Sequence, residues 1–255
     1  VTEHEIIFLS VLSDFINNKK TERLPDKNNE YEDVLKIAEI HSLRAMCEYV
    51  LYGTTKNVQH QLMSSVQRIF AAEKLISYME KNKIKLCVMK GFLIREYYPV
   101  PELRTFGDID FLIKPEDKEN VIALMASAGY ERTPGEEHVM SFRKGIEYYE
   151  FHTSLIEETA FNKKTTELVF SAWDYTVSYK EYKYIYAFTN EFHIFYEILH
   201  IAKHFRCEGA GVRMFLDIAV LTGGAVDFNW EKLFEFFTVC EMCIFAKNIF
   251  YICKK

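Results

Sequence analysis

The spacing of the apolar residues changes twice along the chain, and these changes limit the folds that it can adopt. Before about residue 83 the spacing is helical, most clearly between Val58 and Phe70, where an apolar residue recurs at every fourth position. Residues 55–80 are therefore predicted to form one long amphipathic helix. From Ile84 the spacing is typical of strands, and after about residue 155 it is mostly helical again. The sequence thus predicts an α+β fold, with a small mixed sheet between two helical regions.

Four apolar segments in the middle of the sequence are candidate strands. They cover residues 84–89, 108–113, 138–143 and 147–153, and they are bounded by glycine, proline or charged residues. These segments define an N-terminal helical region at 1–83, a sheet-containing core at 84–155 and a mostly helical C-terminal region at 156–255. An aromatic stretch at 175–188 is a further strand candidate within the third region.

Composition and charge restrict the kinds of partner. Hydrophobic residues make up 49% of the 255 residues, which is enough to build a folded core. No apolar run approaches the roughly 18 to 20 residues that cross a bilayer, so we expect a cytoplasmic protein without a membrane partner. The formal net charge of −6 provides no basic surface for duplex nucleic acid.

The first residue is Val rather than Met, which suggests that the sequence is part of a longer chain.

Two aspartates open the second candidate strand. Because side chains alternate between the faces of a strand, Asp108 and Asp110 are expected on one face and Ile109 and Phe111 on the other. Two carboxylates about 4 Å apart repel by roughly 4 kcal/mol at an effective dielectric near 20, so such a pair is expected beside a cation or a shared proton. Oxygen ligands of this kind favour Mg²⁺ or Mn²⁺. A solvated strand end gives the same three letters, so the triplet alone does not decide its role.

The residues around this pair resemble a known family. The two segments that carry the resemblance are Met89-Lys90-Gly91-Phe92-Leu93 and the stretch from Arg104 to Ile113. They are similar to the K-G-x-x-L … R-x-x-G-D-I-D-x-L-[VI] signature of an uncharacterised nucleotidyltransferase group within the DNA polymerase β type superfamily. The similarity continues through Glu150-Phe151-His152 and, more weakly, over residues 200–217.

The resemblance implies an enzyme that transfers a nucleoside monophosphate from an NTP to an acceptor and releases pyrophosphate. In that superfamily an Asp-x-Asp strand and an acid on a neighbouring strand hold two metal ions, which implies Asp108, Asp110 and Glu150 as ligands of Mg²⁺ or Mn²⁺. The turn at Lys90 and Gly91 is implied to approach the triphosphate. The superfamily usually has Gly-Gly or Gly-Ser in this turn, so we expect Lys90 to act as a charged donor in place of the absent serine.

Glu147 competes with Glu150 for the role of the third acid. Strand alternation puts Tyr148, Glu150 and His152 on one face and Glu147 on the other. We favour Glu150, because the family pattern has an acid two residues before a histidine. If three carboxylates gather without a metal, they repel one another, and removal of any one acid is then expected to keep or raise the metal-free melting temperature.

Further residues are candidates for contacts with the nucleotide, and each has a structural alternative. Arg104 is expected to hold a phosphate through a bidentate fork, or to form a salt bridge. His152 is interpreted as a proton acceptor, a support for the metal ligands or a structural histidine. Lys203, His204 and Arg213 are expected near the nucleotide, or on a solvated helix face.

The sequence leaves the acceptor open, and two other functions remain as alternatives. The acceptor is expected to be a small molecule or a protein side chain. One alternative is a catalytically silent nucleotide-binding or partner module of the same fold, for example half of a toxin-antitoxin pair. The other alternative is a metal-dependent phosphohydrolase.

Overall fold

The structure is a computed structural model that describes residues 1–19, 30–105, 107–134, 138–157, 161–207 and 209–254. Phe106 of the Arg104–Ile113 motif therefore lies outside the described residues. Within these ranges no helix combines the length and the apolar composition that a bilayer crossing requires.

Among the described residues of the N-terminal part, four segments are helices: α1 (Glu3–Ile16), α2 (Glu30–Ile40), α3 (Arg44–Tyr52) and α4 (Lys56–Lys81). The predicted long helix at 55–80 is confirmed as α4. The Thr55 side chain begins it by accepting a hydrogen bond from the Val58 amide, which satisfies one of the free amides of the first turn.

The buried face of α4 differs from the prediction. Val66 and Phe70 are 53% and 57% exposed, whereas Ile76 and Met79 are buried. An α-helix has 3.6 residues per turn, so each step of a strict four-residue repeat shifts the side chain around the helix axis by about 40°. By Phe70 the repeat that begins at Val58 has left the buried face. The second half of α4 packs through Ala72, Leu75, Ile76 and Met79 against the sheet.

Seven strands in the described residues form one mixed sheet. They are β1 (Leu86–Val88), β2 (Ile109–Ile113), β3 (Glu131–Thr133), β4 (Val139–Lys144), β5 (Glu147–His152), β6 (Thr176–Ser178) and β7 (Ile185–Phe188). The order is β3-β4-β5-β2-β1-β7-β6, with β2 parallel to β5 and β1 parallel to β7. The α+β class and all four predicted strands are confirmed. The aromatic stretch at 175–188 supplies β6 and β7, and β3 was not predicted.

The remaining helices follow or separate the strands. They are α5 (Gly91–Ile94), α6 (Lys118–Ser127), α7 (Lys163–Phe170), α8 (Asn190–Cys207), α9 (Val212–Val220), α10 (Trp230–Val239) and α11 (Cys243–Cys253). The division into regions at residues 83 and 155 stays a prediction. Strand β7, from the third of these regions, pairs directly with β1 from the second.

The sheet separates two hydrophobic cores. On one face Phe111 and Phe151 pack with residues of α4 and α6, and their ring centroids lie 5.3 Å apart. On the other face Cys87 and Leu112 belong to a core that includes residues of α1 to α3 and α8 to α11. Since Asp110 lies between Phe111 and Ile109 in β2, its side chain emerges on the same face as Leu112. The helices of the second core therefore enclose the carboxylate.

The rotation of the α4 face leads to a mutational prediction. Ile76→Ala is expected to lower the free energy of unfolding by about 2–5 kcal/mol, because it removes a fully buried side chain from the sheet core. Val66→Ala, on the exposed face of the same helix, is expected to change it by about 0.5 kcal/mol or less. Urea unfolding of both variants measures the two values. Equal losses would place Val66 in the core and contradict the observed helix orientation.

Candidate functional site

The pairing of β2 with β5 brings two acids together. In the parallel register Asp110 lies opposite Glu150, so both carboxylates emerge on the same face. Ligand atoms of Asp110, Glu150 and His152 all lie within 4.8 Å of one another. Asp108, one residue before β2, lines the same cavity, which has a volume of about 730 Å³.

Glu147 lies away from this cluster. Its carboxylate accepts hydrogen bonds from the hydroxyl of Tyr130 and from the hydroxyl of Tyr149, the latter at 3.2 Å. The cavity that holds the other acids is lined by Tyr148, Glu150 and His152, as strand alternation predicts. Glu150 is therefore the acid of β5 that can bind the same cation as Asp110.

Asp110 is nearly fully buried, and two nitrogen groups lie within hydrogen-bond distance of its carboxylate. The Lys90 ammonium donates to Oδ1 at 2.7 Å, and His152 Nε2 lies 2.9 Å from the same oxygen. Burial alone would raise the pKa of Asp110, but Lys90 and His152 outweigh it and hold this pKa well below its usual range. Asp110 is consequently ionised at neutral pH.

Asp108 and Glu150 differ from Asp110, because their surroundings raise their pKa values instead of lowering them. Burial raises the pKa of Asp108, and the neighbouring Asp110 raises it further. Burial also raises the pKa of Glu150, and Asp108 and Asp110 add to this effect. These two acids therefore have an unfavourable electrostatic environment that a cation would relieve. We therefore still expect removal of the Asp108 or Glu150 charge to keep or raise the metal-free melting temperature. For Asp110 we now expect the opposite, a lower melting temperature.

The backbone at Lys90 adopts a conformation that favours glycine. Its φ of +54° and ψ of −141° lie in a region that costs a residue with a side chain about 1–3 kcal/mol. The superfamily that the sequence resembles usually has glycine at this turn. Lys90 occupies this strained position, and its ammonium reaches Asp110.

Gly91 is required by its neighbour Arg104. A Cβ atom on Gly91 would lie 2.0 Å from Nη1 of Arg104, so the guanidinium occupies the space that any side chain would need. The guanidinium is buried and binds Asp217 in a bidentate pair, with Nε to Oδ1 at 3.1 Å and Nη2 to Oδ2 at 2.5 Å. Tyr98 donates to the same Asp217 carboxylate at 2.8 Å. These contacts favour the salt-bridge alternative for Arg104, and its assignment to a phosphate stays a prediction.

Three predicted residues of the C-terminal helices line the same cavity as the acids. Lys203 Nζ lies 4.0 Å from Glu157, His204 Nε2 lies 3.2 Å from Nε2 of His200, and Arg213 donates to the Thr105 carbonyl at 3.2 Å. Acids from the sheet and basic groups from α8 and α9 thus share one cavity. Their roles in binding a nucleotide stay predictions.

Sequence reasoning did not single out several residues of this cavity. Tyr196 and His200 line it from α8, and together with His204 they follow a four-residue spacing that places them along one side of the helix. Burial, and then the Lys90 charge, lower the pKa of His200 well below its usual value, so its imidazole is neutral at pH 7. The four-residue spacing of Tyr196, His200 and His204 was the sequence signal that could have indicated a shared position on one side of α8.

The ligand set fits a hard divalent cation. Two carboxylates and an imidazole converge within 4.8 Å, and a third carboxylate faces the same cavity from Asp108. Sets dominated by oxygen suit Mg²⁺ and Mn²⁺. The unfavourable environment of Asp108 and Glu150 is consistent with this fit, because a divalent charge would stabilise both ionised groups.

Comparisons with known proteins identify the family and the fold of the chain. A family described as uncharacterised nucleotidyltransferase matches residues 29–255. The solution structure of the antibiotic-resistance factor ANT(2'')-Ia matches with a TM-score of 0.50 and 11% identity, over 73% of this chain and 98% of that one. Its crystal structure with adenylyl-2''-tobramycin matches with a TM-score of 0.51 and 12% identity, over 69% and 97%. At this identity the likeness shows the fold alone, and no curated protein matches the sequence significantly.

The charge balance gives opposite predictions for the two aspartates of the motif. Asp108→Asn is expected to keep or raise the metal-free melting temperature, because it removes an unfavourable charge. Asp110→Asn is expected to lower it, because the buried Lys90 ammonium loses its anionic partner. Removal of one partner from a buried ion pair costs up to about 3–5 kcal/mol. Thermal unfolding in EDTA measures the change in melting temperature of each variant. A stabilised Asp110→Asn variant would contradict the assigned ion pair.

A second prediction concerns the space beside Gly91. Gly91→Ala is expected to lower the free energy of unfolding by about 1–3 kcal/mol, because the new methyl group forces Arg104 to move. Gly107→Ala is the matched control, since a Cβ there meets no atom within 4 Å. Chemical denaturation without ligand measures both. Equal stability of the two variants would mean that Arg104 is not fixed beneath Gly91.

Proposed function

Because the chain belongs to the uncharacterised nucleotidyltransferase family, we propose that it moves a nucleoside monophosphate from an NTP to an acceptor and releases pyrophosphate. In this proposal Asp108, Asp110 and Glu150 hold Mg²⁺ or Mn²⁺. The observation that carries the proposal is the register that sets Asp110 beside Glu150, with Asp108 facing the same cavity.

The charges of the cavity support a triphosphate as the bound group. The acids emerge from β2 and β5, whereas Lys203 and Arg213 reach the cavity from α8 and α9. A triphosphate with its divalent cation presents both signs of charge and would match this arrangement. Arg213 has a lowered pKa because of burial and the nearby Arg104 charge, so an added anion would stabilise its charged form.

The transfer replaces one phosphorus–oxygen bond by another. An oxygen of the acceptor attacks the α-phosphorus, the bond to the β-phosphate oxygen breaks, and pyrophosphate leaves. When bound, the divalent cation would supply neutralisation of the triphosphate and stabilise the leaving group. The contribution of the chain is to fix its carboxylates on a rigid sheet, so that the ligands are positioned before the nucleotide arrives.

A small molecule is the acceptor class with the most support. ANT(2'')-Ia, which has the same fold, was crystallised in complex with adenylyl-2''-tobramycin. The cavity volume of about 730 Å³ lies within the range of small-molecule sites. A protein side chain remains the second acceptor class in this proposal.

One observation favours a second function. Lys90 holds the Asp110 oxygen at 2.7 Å, and a permanent ion pair of this kind would suit a catalytically silent nucleotide-binding module. Such a module would bind an NTP without releasing pyrophosphate. A phosphohydrolase would instead release phosphate or a nucleoside monophosphate without labelling any acceptor.

The test uses each NTP labelled at the α-phosphate, a cell extract and Mg²⁺ or Mn²⁺. We expect pyrophosphate release together with label on an acceptor. Asp108→Asn, Asp110→Asn and Glu150→Gln should each lower the rate on the order of 10² or more, the scale for lost transition-state charge stabilisation.

The matched control is Glu147→Gln on the opposite face of the same strand, which should retain the rate. Folded protein that binds NTP but releases no pyrophosphate would support the silent module. Full activity of Asp110→Asn would remove the proposed site.

A further inference from the structure

The Asp110 carboxylate would be shared by two positive charges. Its Oδ1 accepts a hydrogen bond from the Lys90 ammonium at 2.7 Å, and Asp110 is also a member of the cluster whose ligand atoms converge for a cation. A divalent cation and an ammonium at the same carboxylate repel each other. Either Lys90 withdraws when the cation binds, or the cation binds weakly.

Lys90 lies at a position where a side chain is strained. Its φ of +54° and ψ of −141° favour glycine, and glycine would remove both the strain and the competing charge. The strained backbone directs the Lys90 ammonium into the cavity, where it contacts Asp110. Its side chain is a flexible stem with a mobile point charge, and it lines the cavity that Lys203 and Arg213 also reach.

We propose that Lys90 couples the binding of the divalent cation to the binding of the triphosphate. Without nucleotide, the ammonium neutralises Asp110 and opposes the cation. When the triphosphate enters, it attracts the ammonium away from Asp110 and leaves Oδ1 for the cation. This inference rests on the proposed function, and it assigns Lys90 a positioning role between the two ligands.

The coupling has a measurable consequence for each ligand taken separately. Removal of the Lys90 charge should strengthen cation binding, because the competitor is lost. The same change should weaken triphosphate binding, because the phosphates lose a partner. A residue that only supports the fold would change both affinities in one direction, so opposite signs exclude a purely structural role for Lys90.

The experiment uses the full chain with two simple probes. Electron paramagnetic resonance measures the Kd of Mn²⁺ alone, and calorimetry in EDTA measures the Kd of inorganic tripolyphosphate. Lys90→Met is expected to lower the Kd for Mn²⁺ about fivefold or more and to raise the Kd for tripolyphosphate by a similar factor, at the lower end of usual coupling strengths. Lys90→Arg keeps the charge, so its Kd for Mn²⁺ and its Kd for tripolyphosphate should each change by less than about fivefold.

Lys203→Met is the matched control for a general loss of positive charge. Lys203 lines the same cavity, but its ion-pair partner is Glu157 at 4.0 Å. Its loss should weaken tripolyphosphate binding while the Kd for Mn²⁺ stays within about twofold, because its ammonium pairs with Glu157 and not with an acid of the cation cluster. Lys90→Gly, which suits the backbone, replaces Lys90→Met if the latter is not folded.

The outcomes separate this inference from the proposed function. Wild-type protein that binds neither probe, whether the two are offered singly or together, would overturn the proposed function and the inference with it. Wild-type protein that binds both probes, together with a folded Lys90 variant whose Mn²⁺ affinity is unchanged or weaker, would overturn the inference alone.

Discussion

The parallel pairing of β2 with β5 sets the positions of the groups on which the site depends. The register places Asp110 opposite Glu150 and Leu112 opposite His152, so three polar side chains meet on one face. The intervening Phe111 and Phe151 point to the other face and pack in the core formed with α4 and α6. A shift of one residue would exchange the two sets. The apolar core therefore holds the carboxylates in place, and they remain together although their charges repel.

The buried charges around this sheet are matched in two groups. Asp110 is balanced by Lys90 and His152, while Arg104 is balanced by Asp217, which also accepts from Tyr98. The second group joins α9 to the turn at Gly91, because the guanidinium occupies the space where a side chain would stand. Burial of such groups is tolerated only when each has a partner. Glu150 has only long contacts, with the Ser141 hydroxyl at 3.4 Å and with His152 Nε2 at 3.6 Å. Burial and the neighbouring carboxylates raise the pKa of Glu150 and of Asp108, and this is the physical reason to expect a cation beside them.

Much of the central part of the fold could be predicted from the sequence, because its signals are local. Strand periodicity located β1, β2, β4 and β5, and alternation placed Asp108 and Asp110 on one face and separated Glu150 from Glu147. Contacts between distant residues left no such signal. Arg104 and Asp217 are 113 positions apart, and the pairing of β7 beside β1 joins segments about 100 residues apart. The Lys90 ion pair also depends on an unusual backbone conformation, which spacing of apolar residues cannot reveal.

The acids of β2 and β5 are proposed to form one divalent cation site, which anomalous diffraction from crystals grown with Mn²⁺ and a non-hydrolysable NTP analogue would locate. We expect an anomalous peak about 2.1 Å from oxygens of Asp110 and Glu150, the distance typical of small divalent cations, with the triphosphate beside it. A Mn²⁺ peak elsewhere in the molecule, with Lys90 still bound to Asp110 in the presence of the nucleotide, would contradict it.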